Sequence, residues 1–147
     1  MEIAILGLGC FWGPEIKFSK LDGVVKTEVG YCGGNSSETT YKEVCTGTTN
    51  HAEVVKLDFD PKIISYEKIL KFFFEIHDPT TLNSQGPDFG TQYRSEIFYL
   101  NDQQKEISEK IIKEENIKFS GKVVTKNSLV KNYCPAEEYH QKYLEKR

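Results

Sequence analysis

The fold class that this 147-residue sequence predicts is a two-layer α/β sandwich around a mixed sheet. Three observations point there. Strand-like segments alternate with segments of helical period, an adjacent strand pair comes late in the order, and no repeat or Pro/Gly-rich linker divides the chain. Hydrophobic residues make up 38% and aromatics 12%, with nine Phe and eight Tyr, which is enough for a sizeable core. One domain over residues 1–147 is expected, because lengths of roughly 100 to 200 residues usually close around a single core.

The elements follow in order. Glu2 to Leu6 is a strand, and Pro14 to Leu21 a helix, since Pro suits a first turn and Asp22-Gly23 ends the run. Val24 to Tyr31 is a strand by β-branched content, and Thr40 to Cys45 a short helical turn. Ala52 to Phe59 alternates as a strand, and Tyr66 to Ile76 is a helix capped by Ser65. Asp78 to Gln92 holds two Pro and two Gly; it is too long for a plain connection, and such loops carry function. Ser95 to Leu100 is a strand, and Gln103 to Glu115 an amphipathic helix with Ile107, Ile111 and Ile112 inward. Lys122 to Thr125 is the last short strand, and Ala136 to Leu144 the closing helix.

Nineteen Lys and Arg against 22 Asp and Glu give a net charge of −3, which offers no footprint for phosphate backbones and argues against a nucleic-acid partner. No basic signal segment and no apolar run of membrane-spanning length is present, so a cytoplasmic protein without a membrane partner is expected. In that compartment Cys10, Cys32, Cys45 and Cys134 read as free thiols. No Cys pair has zinc-knuckle spacing and the three His are scattered, so no metal or other cofactor is expected.

The chemistry centres on Gly7-Leu8-Gly9-Cys10-Phe11-Trp12-Gly13, between the first strand and the first helix. A helix N-terminus favours an anion, and the thiolate is the nucleophilic form of cysteine. Two other readings fit the same residues. Cys10 can be a small buried hydrophobe with Phe11 and Trp12 in the core. Alternatively, Gly7 and Gly9, with Glu28 further on, approach a dinucleotide fingerprint, although the third glycine, Gly13, stands one residue late.

Five further segments occur in order: Gly30-Tyr31-Cys32-Gly33-Gly34, Tyr41-Lys42-Glu43-Val44-Cys45-Thr46-Gly47, His51-Ala52-Glu53, His77-Asp78-Pro79 and Asp88-Phe89-Gly90-Thr91-Gln92-Tyr93-Arg94-Ser95. With Pro135-Ala136-Glu137-Glu138-Tyr139-His140-Gln141 and the Cys10 segment, they resemble the A-type peptide methionine sulfoxide reductases over nearly the whole chain. The resemblance implies a ferredoxin-like α+β fold, Cys10 as nucleophile and Glu53 as acid. It also implies Tyr41, Tyr93 and Asp88 as polar partners, with Phe11 and Trp12 as the pocket for the substrate methyl group. The expected reaction is reduction of methionine S-sulfoxide, free or in proteins, through a Cys10 sulfenic acid. A non-catalytic module for oxidised methionine or a nucleotide is the alternative.

A sulfoxide sulfur becomes electrophilic only when its oxygen is protonated or strongly hydrogen-bonded. Burial beside aromatics would raise the Glu53 pKa as that role requires, and phenols can donate without adding charge. His51 is left a structural role, and Cys45 that of a buried thiol. Many relatives carry a glycine-rich tail with recycling cysteines, for which this chain has no counterpart. Recycling by an external thiol is therefore expected (glutathione with glutaredoxin, or thioredoxin), with Cys134 as the internal alternative on a mobile late loop. Asn50 stands where the family usually has glycine.

Overall fold

A computed structural model describes residues 1–146. Its first half runs β1 (Glu2–Leu8), α1 (Trp12–Ser19), β2 (Val24–Cys32), α2 (Tyr41–Cys45), β3 (Ala52–Phe59) and α3 (Tyr66–Glu75). The second half runs β4 (Ser84–Gln85), β5 (Asp88–Phe89), β6 (Ser95–Tyr99), α4 (Asp102–Lys118), β7 (Lys126–Leu129) and β8 (Cys134–Pro135). Six strands form one sheet in the order β7-β6-β1-β3-β2-β8, while β4 and β5 make a separate hairpin. The inner four strands, β6-β1-β3-β2, pair antiparallel throughout, which is the split βαβ arrangement of a ferredoxin-like fold. The parallel pair β6 and β7 makes the sheet mixed.

Period-two alternation sorts the strands into two faces. Leu6 and Leu8 of β1, Val29 and Tyr31 of β2, and Val55, Leu57 and Phe59 of β3 join the larger core cluster with Phe18, Ile69, Leu70, Phe73 and Ile111 from the helices. Ile5, Cys32, Ala52, Val54 and Phe98 point the other way and are covered by Val130 and Tyr133 of the late chain. Helix α3 buries Tyr66, Ile69, Leu70, Phe73 and Phe74, the i, i+3, i+4 stripe of an amphipathic helix, and Ser65 caps it by accepting from the Lys68 N–H.

Three expectations about elements are corrected. Helix α1 starts at Trp12, two residues before Pro14. The last strand of the main body lies at Lys126–Leu129, and Lys122 to Thr125 is irregular, because pairing with β6 fixes the register rather than local β-branching. The segment Ala136 to Leu144 is no α-helix: a 3-10 turn, Glu138–His140, is its only regular helical piece. Its side chains and backbone are drawn into bonds elsewhere. Gln141 donates to the Val29 carbonyl and accepts from the Val29 N–H, both at 2.9 Å, and the Lys142 N–H donates to Glu15 at 2.7 Å.

Candidate active site

The antiparallel order brings the C-terminal ends of β1 and β2 to the same end of the sheet as the N-terminal ends of β3 and β6. Cys10 follows β1, Tyr41 opens α2 after β2, Glu53 is the second residue of β3, and Tyr93 lies just before β6. The long loop contributes the β4–β5 hairpin, which carries Asp88.

The turn holding Cys10 depends on Gly9. Its φ is +96°, and a Cβ there would lie 2.8 Å from Cβ of Gln85, so glycine alone lets the hairpin pack against the turn. Asn50 shows the same constraint met differently. It adopts φ 59°, a left-handed position that Asn tolerates, which accounts for Asn where relatives usually have glycine.

Glu53 alternates with Val55, Leu57 and Phe59, so its carboxyl enters the helix-covered face and is 1% exposed. Oε1 accepts the Phe11 N–H at 3.2 Å, while Oε2 is buried with no partner among the described residues. Burial pushes the carboxyl up to about 8; the Phe11 N–H opposes this and the charge of Asp88 adds to it. Burial therefore favours the protonated carboxyl at neutral pH.

Cys10 is half-buried. Burial pushes its thiol up to about 11, against a hydrogen bond from the Trp12 backbone, with the charges of Glu53 and Asp88 raising it further. Desolvation thus opposes the pull of the helix N-terminus toward the thiolate, and burial favours the thiol in the unliganded site.

Aromatic rings complete the site. Phe11 is buried against Tyr31, with centroids 5.8 Å apart, and Trp12 stacks on Tyr143 at 3.8 Å. Burial holds the Tyr41 phenol well above the ordinary range, helped by its hydrogen bond with Cys45, and pushes Tyr93 up to about 12. Both phenols stay protonated donors.

The other cysteines depart from two expectations. All four thiols are free, as expected. Cys45, expected to be buried, is exposed, because the five-residue helix α2 turns only Val44 inward. Cys134 does not lie on a mobile loop; β8 pairs it with Tyr31 at the sheet edge, and its thiol lies 3.5 Å from the Pro135 carbonyl. Cys32 is fully buried and donates to the Lys131 carbonyl at 3.3 Å. His51 is 1% exposed, with Nε2 on the Ser36 carbonyl at 2.8 Å.

Two residues without an assigned role in the sequence reading reach this site from the late chain. Glu137 accepts the Tyr31 hydroxyl at 2.7 Å and the Tyr41 N–H at 2.9 Å. The His140 ring lies 5.3 Å from Phe11 and 4.5 Å from Tyr41, centroid to centroid. Their only signal in the sequence was membership of the Pro135 to Gln141 segment. A cleft of about 310 Å³ lies apart from all of this, lined by Lys26, Glu28, Glu138 and Lys142 among others, and it holds no cysteine. Among the described residues no helix is long and apolar enough to cross a membrane, and no His, Cys, Asp and Glu cluster is arranged to hold a metal ion.

Comparisons with known proteins agree with this arrangement. A sequence model of the family described as peptide methionine sulfoxide reductase matches residues 2–147. A protein described as "Peptide methionine sulfoxide reductase MsrA" from Pelagibacter ubique (strain HTCC1062) is 84% identical over 147 residues, covering 100% of both chains. Among solved structures, Mxr1 from Saccharomyces cerevisiae in reduced form superposes with a TM-score of 0.95 at 44% identity, covering 99% of this chain and 85% of that one. Mxr1 in complex with Trx2 gives a TM-score of 0.69 at 29% identity, covering 97% and 84%. The chain belongs to the peptide methionine sulfoxide reductase family.

Proposed function

We propose that residues 1–147 act as one catalytic unit in the cytoplasm, reducing methionine S-sulfoxide, free or in proteins, with Cys10 as nucleophile and Glu53 as acid. One observation carries the reading: the Glu53 carboxyl is buried beside Cys10, with Oε1 on the Phe11 N–H and Oε2 without a partner among the described residues, and burial favours its neutral form. An orphaned acid group is a standing cost unless a ligand completes it, and the sulfoxide oxygen is the missing acceptor.

In the proposed step the Glu53 proton goes to the sulfoxide oxygen as the Cys10 sulfur attacks the substrate sulfur. The S–S bond so formed is transient: as the hydroxyl passes to the Cys10 sulfur, both the S–O and the S–S bonds to methionine break, methionine leaves as the sulfide with the electron pair, and Cys10 is left as sulfenic acid. Sulfide and sulfenic acid replace sulfoxide and thiol with no net proton change, so the Cys10 thiol proton can reload Glu53. Tyr41 and Tyr93 donate to the oxygen, the charge of Asp88 adds to the burial that favours protonated Glu53, and Phe11 with Trp12 receives the methyl group. A thiol reductant returns the sulfenic acid to thiol. The Trx2 complex of the yeast relative supports a thioredoxin-type donor, and glutathione with glutaredoxin supplies the same chemistry. Cys134, held in β8, would have to leave its strand to serve as internal partner. A non-catalytic module has no use for a neutral acid beside a thiol, so that alternative loses its support.

The test is incubation with dithiothreitol and each sulfoxide epimer separately. Methionine from the S epimer alone is expected. No turnover, or equal turnover of both epimers, contradicts the reading.

A further inference from the structure

We infer that His140 is a positioning residue that fixes the Trp12 indole through a hydrogen bond from Nε1 to its own Nδ1, and so sets how tightly the methyl group of the sulfoxide is held. The inference rests on the reading of Trp12 as one wall of that pocket.

Trp12 is the first residue of α1 and is only half-buried, so its ring is not locked by core packing alone. Tyr143 stacks on one face, with planes 10° apart and centroids at 3.8 Å. Stacking fixes the plane of a ring but leaves it free to slide and turn within that plane. A directional bond at the ring edge removes that freedom, and Trp12 Nε1 has one, donating to His140 Nδ1 at 3.0 Å.

His140 can serve as a fixed acceptor because it is itself immobile. The residue is 2% exposed and its ring contacts Phe11, Trp12, Tyr41 and Tyr139. The His140 N–H donates to the Glu137 carbonyl at 2.9 Å, while the Glu137 carboxylate is held by Tyr31 and Tyr41. An acceptor at Nδ1 requires a neutral ring with its proton on Nε2. Burial favours that neutral form, against the pull of the Glu137 charge. The Nε2 atom is buried and has no partner among the described residues, so the chain keeps a costly tautomer there that the Trp12 bond explains.

The experiment compares His140→Asn, whose side-chain oxygen falls near the place of Nδ1, with His140→Leu, which has the same branched outline and no acceptor. Both lose the same ring volume, so packing cancels and the hydrogen bond remains. His140→Leu is expected to raise KM for methionine S-sulfoxide about tenfold over His140→Asn, the worth of one hydrogen bond, with kcat within about threefold. Trp12 is the only tryptophan, so its emission anisotropy reads the ring directly. It should fall in His140→Leu and stay near wild type in His140→Asn. If His140→Leu fails to fold, His140→Gln, which moves the acceptor one atom along, is expected to show the same rise and the same fall. Equal KM values or equal anisotropies in the Asn variant and its comparator overturn the inference. Trp12→Leu separates it from the reading beneath it: an unchanged KM there removes the methyl wall and the inference together, whereas a raised KM with matched His140 variants removes the inference alone.

Discussion

Glu53 and Glu137 are two carboxyls set into the same site, and they are built for opposite states. Glu53 receives one backbone N–H on Oε1 and, among the described residues, nothing on Oε2. Glu137 receives a phenol at 2.7 Å on one oxygen and a backbone N–H at 2.9 Å on the other. Burial pushes both up, but at Glu137 the donors from Tyr41 and Tyr31 outweigh it and hold the group below the usual carboxylate range, whereas Glu53 rises to about 8. Full burial with a single donor favours the proton at Glu53, while partial burial with donors on both oxygens favours the charge at Glu137. The difference divides the labour: Glu53 is equipped to give a proton, and Glu137 ties the late chain to Tyr31 and α2.

The comparison can be broken by substitution. Cys10→Ser should abolish turnover, because a hydroxyl is a far poorer nucleophile and forms no sulfenic acid; single-turnover methionine release measures it. Glu53→Gln should cut kcat by roughly 100- to 10,000-fold, the worth of a positioned acid, with an unchanged fold by circular dichroism. Glu137→Gln should reverse that pattern, costing about 1–3 kcal/mol in urea unfolding by facing an amide donor toward the donors it now accepts, while lowering kcat far less than Glu53→Gln does. If the two Gln variants lose kcat equally, the division of labour fails.

Proton positions sharpen it. Glu53 works protonated, so kcat/KM should fall as pH rises through about 8, and Glu53→Gln should lack that limb. For stability the sign is the same. A carboxyl raised from 4.5 to about 8 by the fold contributes fully below 4.5, and the contribution is lost as pH rises through about 8. A smaller effect concerns Cys10 without substrate. Its alkylation by iodoacetamide should keep accelerating above pH 9, because the thiol ionises near 11.

The two halves of the site also differ in how far they were legible in the sequence. The Cys10 turn, the alternation that sends Glu53 inward beside Val55 and Leu57, and the Ser65 cap are local patterns, and residues within a few positions specify them. The strap from Tyr133 to Gln141 is specified from far away: Glu137 bonds Tyr31, 106 positions distant, and Gln141 bonds Val29, 112 positions distant. A helical pattern read there is overridden by partners that no window contains. The electrostatics of Cys10 show the same limit. Sequence placed Cys10 at a helix start, but its burial depends on what packs over it.

The most direct test of the central claim, that Glu53 holds a proton at neutral pH beside Cys10, is carboxyl carbon NMR of protein labelled with 13C-glutamate, titrated in the absence of substrate. One resonance, lost in Glu53→Gln, should titrate near pH 8. A Glu53 resonance that titrates near the ordinary 4.5 would contradict the account and move the proton donor to Tyr41, Tyr93 or water.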